Sequence, residues 1–540
     1  MSDDHHIPTA EHELNPEPGE RLARPFQRFA KLSSSGGIVL LAMTAIAMIW
    51  ANSDYADSYN EIFNETETRI TVAHNPHHAP AGDHGDSAEH DAEEAHELAD
   101  EHADGLSEEH DDEHAPAITG DHDTDDASHA DENHDPHAWS ELPNKPHWWT
   151  GHSTAAWIND LLMAIFFLVV GLEIKREILV GELASPKRAA LPIFGALGGM
   201  IGPALIFASL NWGKETIGGW GIPMATDIAF AVGILAMLGS RIPNSLKVFL
   251  TSLAIVDDLG ALVVIAVFYT DHLNMAFLGY AGTIVAVLMF MNVLRVRWIT
   301  LYLALGLPLW YCIYMSGVHA TIAGVLLAMT IPAHARVNAV NFVYSTRKAL
   351  DIFANAHDDP DTDVTESSER RAAVNAIVKN SRYVLPPLHR IEYVLHPWAA
   401  FVIIPIFALA NAGIPIHGGI AENLKDPAAM GIIAGLVIGK PLGIFLLCFI
   451  ACKLGIASLP RGVSWRHIFG AGMLGGIGFT MAIFIANLAY ANSATHLEHA
   501  KLAILVASAI AAISGAAILL SCKAKPEPEP ETMGPLVDED

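Results

Sequence analysis

The chain has 540 residues, 51% of them hydrophobic and 17% charged, which is too apolar for an ordinary soluble enzyme of this length and favours a membrane protein. Its formal charge of −29 is local: residues 74–137 alone hold 22 Asp and Glu, and no Lys or Arg lies between Arg69 and Lys145. This excludes a chain that is acidic throughout, and no nucleic-acid partner is expected.

Residues 1–32 carry Arg21, Arg24, Arg28 and Lys31 and read as a cytoplasmic tail. The apolar run 33–52 shares this basic flank with signal peptides but has no small-x-small cleavage site after it, so it reads as an uncleaved first span. Residues 53–153 then form an outer loop rich in His, Asp, Glu, Ala and Gly, with almost no large apolar residue before Trp139. Such a stretch cannot bury a core, and from about 56 to 150 it is expected to be disordered. Its 74–137 portion also holds 13 His. A solvated spacer, a weak binder of zinc, nickel or copper, and a local proton buffer are the three readings.

A membrane helix needs about 20 mostly apolar residues because lipid offers its backbone no partners. Further runs near 154–173, 189–210, 221–239, 247–269, 275–294, 298–315 and 317–332 place spans two to eight within 154–332. Residues 333–392 follow as a polar cytoplasmic loop whose 368–384 portion suits a surface helix. Runs near 398–415, 430–451, 467–490 and 500–522 complete about twelve spans within 393–522, and 523–540 is a second cytoplasmic tail. Lys175, Arg176, Lys187, Arg188, Arg241, Lys247, Arg295, Arg297, Arg461, Arg466, Lys523 and Lys525 fall on alternate loops, with Lys214 the mild exception. Both termini are therefore expected in the cytoplasm and the acidic loop outside, in a multi-pass membrane protein. Cys312, Cys448, Cys452 and Cys522 lie in or beside apolar runs and read as small hydrophobes.

Ionisable residues inside spans are costly and mark function. Asp257 and Asp258 are the strongest signal: two adjacent carboxylates at low dielectric cannot both be charged cheaply, so their titration is coupled and protons compete with a desolvated cation. The bland alternative has one Asp capping a broken helix and the other facing a water-filled vestibule. Asp227 and Lys440 suit the ends of interrupted helices, since Gly221-Ile-Pro-Met-Ala-Thr-Asp227 and Gly475-Gly-Ile-Gly-Phe-Thr480 both carry helix-breaking signals. Direct pairing of Lys440 with the two aspartates is the competing role. Asp160 has the weakest case, as it suits a solvated span end. His319 reads as a structural histidine or a pH sensor. Glu173, Arg176 and Glu177, with Glu392 and His396, gather ionisable groups at the inner mouth, beyond what positive-inside anchoring requires.

These residues resemble the NhaA family of sodium/proton antiporters. The matching strings are Trp157-Ile-Asn-Asp160, Gly171-Leu-Glu-Ile-Lys-Arg-Glu177, Ala225-Thr-Asp-Ile-Ala-Phe230, Ala254-Ile-Val-Asp-Asp-Leu-Gly260, Ser316-Gly-Val-His-Ala320, Val394-Leu-His-Pro-Trp398, Gly439-Lys-Pro-Leu-Gly443 and Gly475-Gly-Ile-Gly-Phe-Thr480, in the family's order from about 154 to 520. The resemblance implies an all-α membrane fold of about twelve helices, with inverted repeats and two broken helices crossing at mid-membrane. It implies Asp257 and Asp258 as the ion and proton site, with Thr226, Asp227 and Lys440 at the crossing and Asp160 in support. Glu173, Arg176, Glu177, Glu392, His396 and His319 are then assigned to pH sensing at the entrance. Electrogenic, pH-regulated expulsion of Na+ or Li+ by the inward proton gradient follows, with no cofactor and no enzymatic activity. The partners expected are the lipid bilayer and a second copy in a homodimer, with weak divalent-metal binding by the outer loop as one of its three readings. The long outer loop and the long 333–392 loop depart from the family pattern. A zinc transporter or metal-binding surface protein is the alternative, and a passive cation channel a further one.

Overall fold

The computed structural model describes residues 35–65, 153–270, 273–335, 337–356, 367–415 and 419–522. The expected tails 1–32 and 523–540, and the outer loop from residue 66 to 152, lie outside the described residues.

The described chain is helical. It runs through α1 (Ser35–Ala51), α2 (Thr154–Leu179), α3 (Pro186–Asn211), the broken pair α4 (Glu215–Met224, wound as 3-10) and α5 (Ile228–Met237), then α6 (Asn244–Phe268), α7 (Met275–Val293), α8 (Ile299–Met315) and α9 (Ile322–Thr330). After α10 (Ala339–Ala354) and α11 (Ser368–Val384) come α12 (Pro387–Asn411), α13 (Pro427–Lys453), a second broken pair α14 (Trp465–Gly475) and α15 (Phe479–Ala489), and α16 (Ala494–Leu520). Among the described residues, seven helices are long and apolar enough to cross a membrane, and nine spans result if each broken pair is one. The three remaining expected spans fall on the shorter apolar helices α1, α8 and α9. The chain is thus a multi-pass helical membrane protein.

The breaks have local causes. Pro223 interrupts the hydrogen-bond ladder before the Ala225-Thr-Asp227 stretch, and Gly475, Gly476 and Gly478 surround the other break. The two pairs bend by 41° and 47°. Each broken pair stands between two long helices, α3 and α6 around the first and α13 and α16 around the second.

Helices α3 and α13 touch backbone to backbone through Gly198-xxx-Gly202 and Gly439-xxx-Gly443. A Cβ on Gly198 would meet the Gly443 carbonyl oxygen at 2.1 Å, and one on Gly202 would meet that of Gly439 at 2.6 Å. Lipid supplies no hydrophobic drive between helices, so close approach of small residues is what holds them together. This contact sets the position of Lys440, which begins regular helix after the π-turn Gly435–Gly439.

One apolar core surrounds the broken pairs. A second joins α7, α8 and α9 to α2 through Leu168, Leu172, Leu288, Leu309 and Leu327. Tyr280, Phe290 and Val293 of α7 and Ile513 of α16 face outward, where lipid would solvate them.

Three expected boundaries shift. The stretch expected to be disordered from about residue 56 is folded at its start: the helix Ala56–Asn60 and the π-turn Glu61–Glu65 pack on the body, with the Tyr59 hydroxyl donating to the Leu409 carbonyl at 2.8 Å. Burial pushes that hydroxyl's pKa up to about 12. The 333–392 loop holds two packed helices, α10 as well as α11, with the Arg370 guanidinium over the Phe353 ring. Finally, α12 begins at Pro387, well before 398, because proline at the first helical position suits an N-terminus and apolar residues follow on one face. Glu392 therefore sits in this helix rather than in a loop.

Candidate functional site

Asp257 and Asp258 project from the middle of α6, and both are buried. Asp257 Oδ2 accepts from Thr226 Oγ1 at 2.6 Å and pairs with Lys440 Nζ at 2.7 Å. Asp257 Oδ1 and Asp258 Oδ1 are buried oxygens without a hydrogen-bond partner. Adjacent residues on a helix point about 100° apart, so the two carboxylates face different neighbours. Asp257 faces the cation of α13, while no Lys or Arg forms an ion pair with Asp258 among the described residues.

The two breaks meet beside this pair. The Asp227 amide donates to the Ile477 carbonyl at 2.7 Å, linking the first break to the second. The Asp227 carboxylate caps two helices at once: Oδ1 accepts from the Phe230 amide of α5 at 3.1 Å, and Oδ2 accepts from the Thr480 amide of α15 at 3.2 Å and from the Thr480 hydroxyl. One carboxyl group thus caps two helix N-termini. At the opposite ends, Lys440 donates to the carbonyl of Met224, the last residue of α4. Thr226 Oγ1 lies 3.0 Å from the carbonyl oxygen of Gly475, the last residue of α14. Both roles weighed for Lys440 are therefore present in one ammonium group, which pairs with Asp257 and compensates a helix C-terminus.

The Thr226 hydroxyl has one proton and two acceptors within reach, Asp257 Oδ2 and the Gly475 oxygen. Thr480, within a matching string but not singled out among the site residues, is the other hydroxyl of the crossing; its place just after the Gly-rich break was the available signal.

A second group of charges lies at the C-terminal end of α2. Arg176 bonds to Glu392 and reaches Glu177 at 3.3 Å, His389 Nδ1 stands 3.7 Å from Glu392 Oε2, and His396 Nε2 stands 3.8 Å from Glu173 Oε1. Glu392 is buried with Oε2 lacking a hydrogen bond. Lys175 turns away from the group and donates to the Ala328, Met329 and Ile331 carbonyls, closing the C-terminal end of α9. A lysine in a basic stretch reads from sequence as an anchor, so this cap went unseen.

His319 does not join that group. Its Nε2 is 3.9 Å from Asp160 Oδ1, its Nδ1 is 2.8 Å from Thr321 Oγ1, and its ring stands edge-on to Phe484. Asp160 and Glu173 lie on one helix about 20 Å apart at 1.5 Å per residue, so His319 belongs to the far end. The expected inclusion of His319 in the entrance is corrected accordingly. Beside Asp160, Asn159 and Asn411 exchange amide hydrogen bonds and Asn487 donates to Asn411 at 2.7 Å, tying α2, α12 and α15 together.

The sequence model of the family described as Na+/H+ antiporter 1 matches residues 27–81 and 136–519, leaving out the middle of the acidic stretch. The chain is similar to the Na(+)/H(+) antiporter NhaA of Oleidesulfovibrio alaskensis, 42% identical over 97% of this chain and 99% of that protein. It is also similar to the NhaA antiporters of Wolinella succinogenes, 49% identical over 68% of this chain and 80% of that protein, and Helicobacter pylori, 47% identical over 68% and 83%.

Proposed function

Since this chain belongs to the Na+/H+ antiporter family and is a sodium/proton antiporter of the membrane rather than an enzyme, we propose that its two ions compete for Asp257 and Asp258. The observation that carries this reading is the pair of buried carboxylate oxygens without partners, Asp257 Oδ1 and Asp258 Oδ1, beside the crossing of the two broken helices. Oxygen ligands suit Na+ or Li+, and the same oxygens accept protons. Lys440 balances the charge of Asp257. Asp258 pairs with no such cation among the described residues, so a proton or a sodium ion serves, and a carrier that must be loaded to cross exchanges one for the other.

Charge counting then fixes what electrogenic exchange demands. If only Asp258 alternates between H+ and Na+, exchange is one for one and moves no net charge. Net movement requires a second proton, released from Lys440 or from Asp257 when both carboxylates turn to sodium. Thr226 suits that step: its hydroxyl donates to a charged Asp257, and can turn to the Gly475 carbonyl while accepting from a protonated one.

The Glu173, Arg176, Glu177, Glu392 and His396 group is proposed as a pH-sensitive entrance, since its charges surround a buried glutamate. Both termini in the cytoplasm accord with the loop charges, a bacterial inner membrane and a homodimer are proposed from the family alone, and sodium and protons are cargo rather than cofactors. The relatives' names do not favour the zinc-transporter alternative. Proteoliposomes with an imposed proton gradient test the whole reading: adding Na+ or Li+ should release protons, and adding K+ or Zn2+ should not. Proton release by K+ equal to that by Na+, or none by Na+, would defeat it.

A further inference from the structure

A third set of ionisable groups lies away from both the aspartate pair and the entrance. Asp426 precedes α13, and His496 and His499 stand three apart on the first two turns of α16, hence on one face. The Asp426 side chain is held at one oxygen, Oδ1, which accepts from the Ala428 amide at 2.7 Å as the cap of α13. Its other oxygen, Oδ2, is approached by both imidazoles, His496 Nδ1 at 3.3 Å and His499 Nδ1 at 3.2 Å.

Hydrogen bonding accounts for only half of this arrangement. His499 Nδ1 has hydrogen-bond geometry toward Oδ2, but His496 Nδ1 is buried with no hydrogen-bond partner. Two ring nitrogens and a carboxylate oxygen all lie within 4.8 Å of one another. Ligands about 2.0–2.2 Å from a tetrahedral ion stand about 3.3–3.6 Å apart, so a small closing movement would let the three atoms share one cation. The side chains keep 28%, 21% and 11% of their surface in the order His496, His499 and Asp426, which leaves one side open to water. Two neutral imidazoles and one carboxylate with an open position suit a first-row divalent ion and are poor ligands for Na+.

We propose that Asp426, His496 and His499 form a binding site for a first-row divalent cation, zinc in the first instance, that ties the start of α16 to the start of α13. The site lies at the opposite end of the fold from the entrance: α12 runs from Glu392 to Asn411, and the chain soon turns back into α13. The Tyr490 ring, at the end of α15, packs against His496 with centroids 5.9 Å apart, so the bound ion would stand beside a broken helix.

The test follows the unfolding temperature of the full-length chain in detergent, stripped of metal by a chelator and titrated with ZnCl2. The parent should gain ~5 °C at saturating zinc, the scale that a ligand at a hundred times its Kd produces. His496→Gln with His499→Gln should lose that gain. Asp426→Asn, which keeps a cap for the Ala428 amide, should lose it as well and serves if the double variant does not insert. An undiminished gain in these variants would assign zinc to other groups, the 13 His of residues 74–137 first, and overturn the site. No gain in the parent would overturn it also.

Discussion

Lys440 Nζ stands 2.7 Å from Asp257 Oδ2 and donates at the same time to the carbonyl of Met224, so one buried ammonium holds α6, α13 and the broken end of α4 together. Lys440→Ala should therefore cost stability, about 3–5 kcal/mol, because it strands the Asp257 charge. Adding Asp257→Asn should restore part of the loss, since no unpaired charge then remains. Thermal unfolding in detergent reads both, and a double variant no more stable than Lys440→Ala would show that pairing is not the reason.

The two aspartates should separate in stability though not in transport. Asp257→Asn leaves Lys440 uncompensated, whereas Asp258→Asn removes a carboxylate with no lysine or arginine partner among the described residues. Each change should abolish sodium-driven proton release in proteoliposomes, and only Asp257→Asn should lower the unfolding temperature appreciably. Near-normal exchange by either variant would remove the proposed site. If Lys440 supplies the second proton, Lys440→Ala protein that inserts should exchange without generating a membrane potential, which a potential-sensitive dye reads.

Much of this site could be read from residue types alone. Adjacent acids in a span are expensive whatever surrounds them, so Asp257 and Asp258 stand out, and the Pro and Gly signals near Asp227 and Thr480 mark the breaks. Sequence does not show which distant group each charge meets. Lys440 reaches α4 and α6 at once only because α3 and α13 pack at their glycines, and His319 sides with Asp160 because helix direction, not composition, decides which end a residue occupies. The Asp426, His496 and His499 group was invisible for the same reason, since its members come from separate helix starts.

The glycine contact carries its own prediction. Gly198→Val or Gly443→Val places side-chain atoms where each helix meets the other's backbone, at 2.1 and 2.0 Å for the first added carbon. Neither neighbour is a flexible side chain, so the helices must separate and Lys440 must move with α13. Both variants should lose folded protein and exchange together, seen as aggregation on size-exclusion chromatography. A monodisperse, active Gly198→Val would show that α13 tolerates displacement.

At the entrance, Glu392→Gln removes one of the two negative partners of Arg176, leaving Glu177, and Glu173→Gln removes that of His396. Loss of a negative charge makes proton release by neighbouring groups easier, so exchange should switch on at lower pH while its maximum is kept. Rates measured from pH 6 to 9 check this. Profiles matching the parent in both variants would detach the group from pH control.

The last prediction separates two parts of the segment after α1. Residues 56–65 belong to the folded body: Tyr59 and Phe63 pack with Trp50 as an aromatic group, and the Tyr59 hydroxyl donates to the Leu409 carbonyl and accepts from the Gly413 amide at 3.2 Å. Residues 82–135, in contrast, fall outside the match to the family's sequence model, and the spans among the described residues lie on either side of them. Deleting 82–135 should then leave sodium-driven proton release within about twofold of the parent, because it removes none of the contacts around Asp257, Asp227 or Lys440 and charge-rich insertions usually act as solvated spacers. Deleting 56–65 should instead lower the unfolding temperature, since it removes two of the three rings of the aromatic group and both hydrogen bonds of the Tyr59 hydroxyl, to the Leu409 carbonyl and from the Gly413 amide. Zinc retained by the parent but lost on deleting 82–135 would place weak metal binding in that stretch, separate from the Asp426 site. Loss of exchange at every pH on deleting 82–135 would make the acidic stretch part of the transport machinery and contradict the placement of function within the spans.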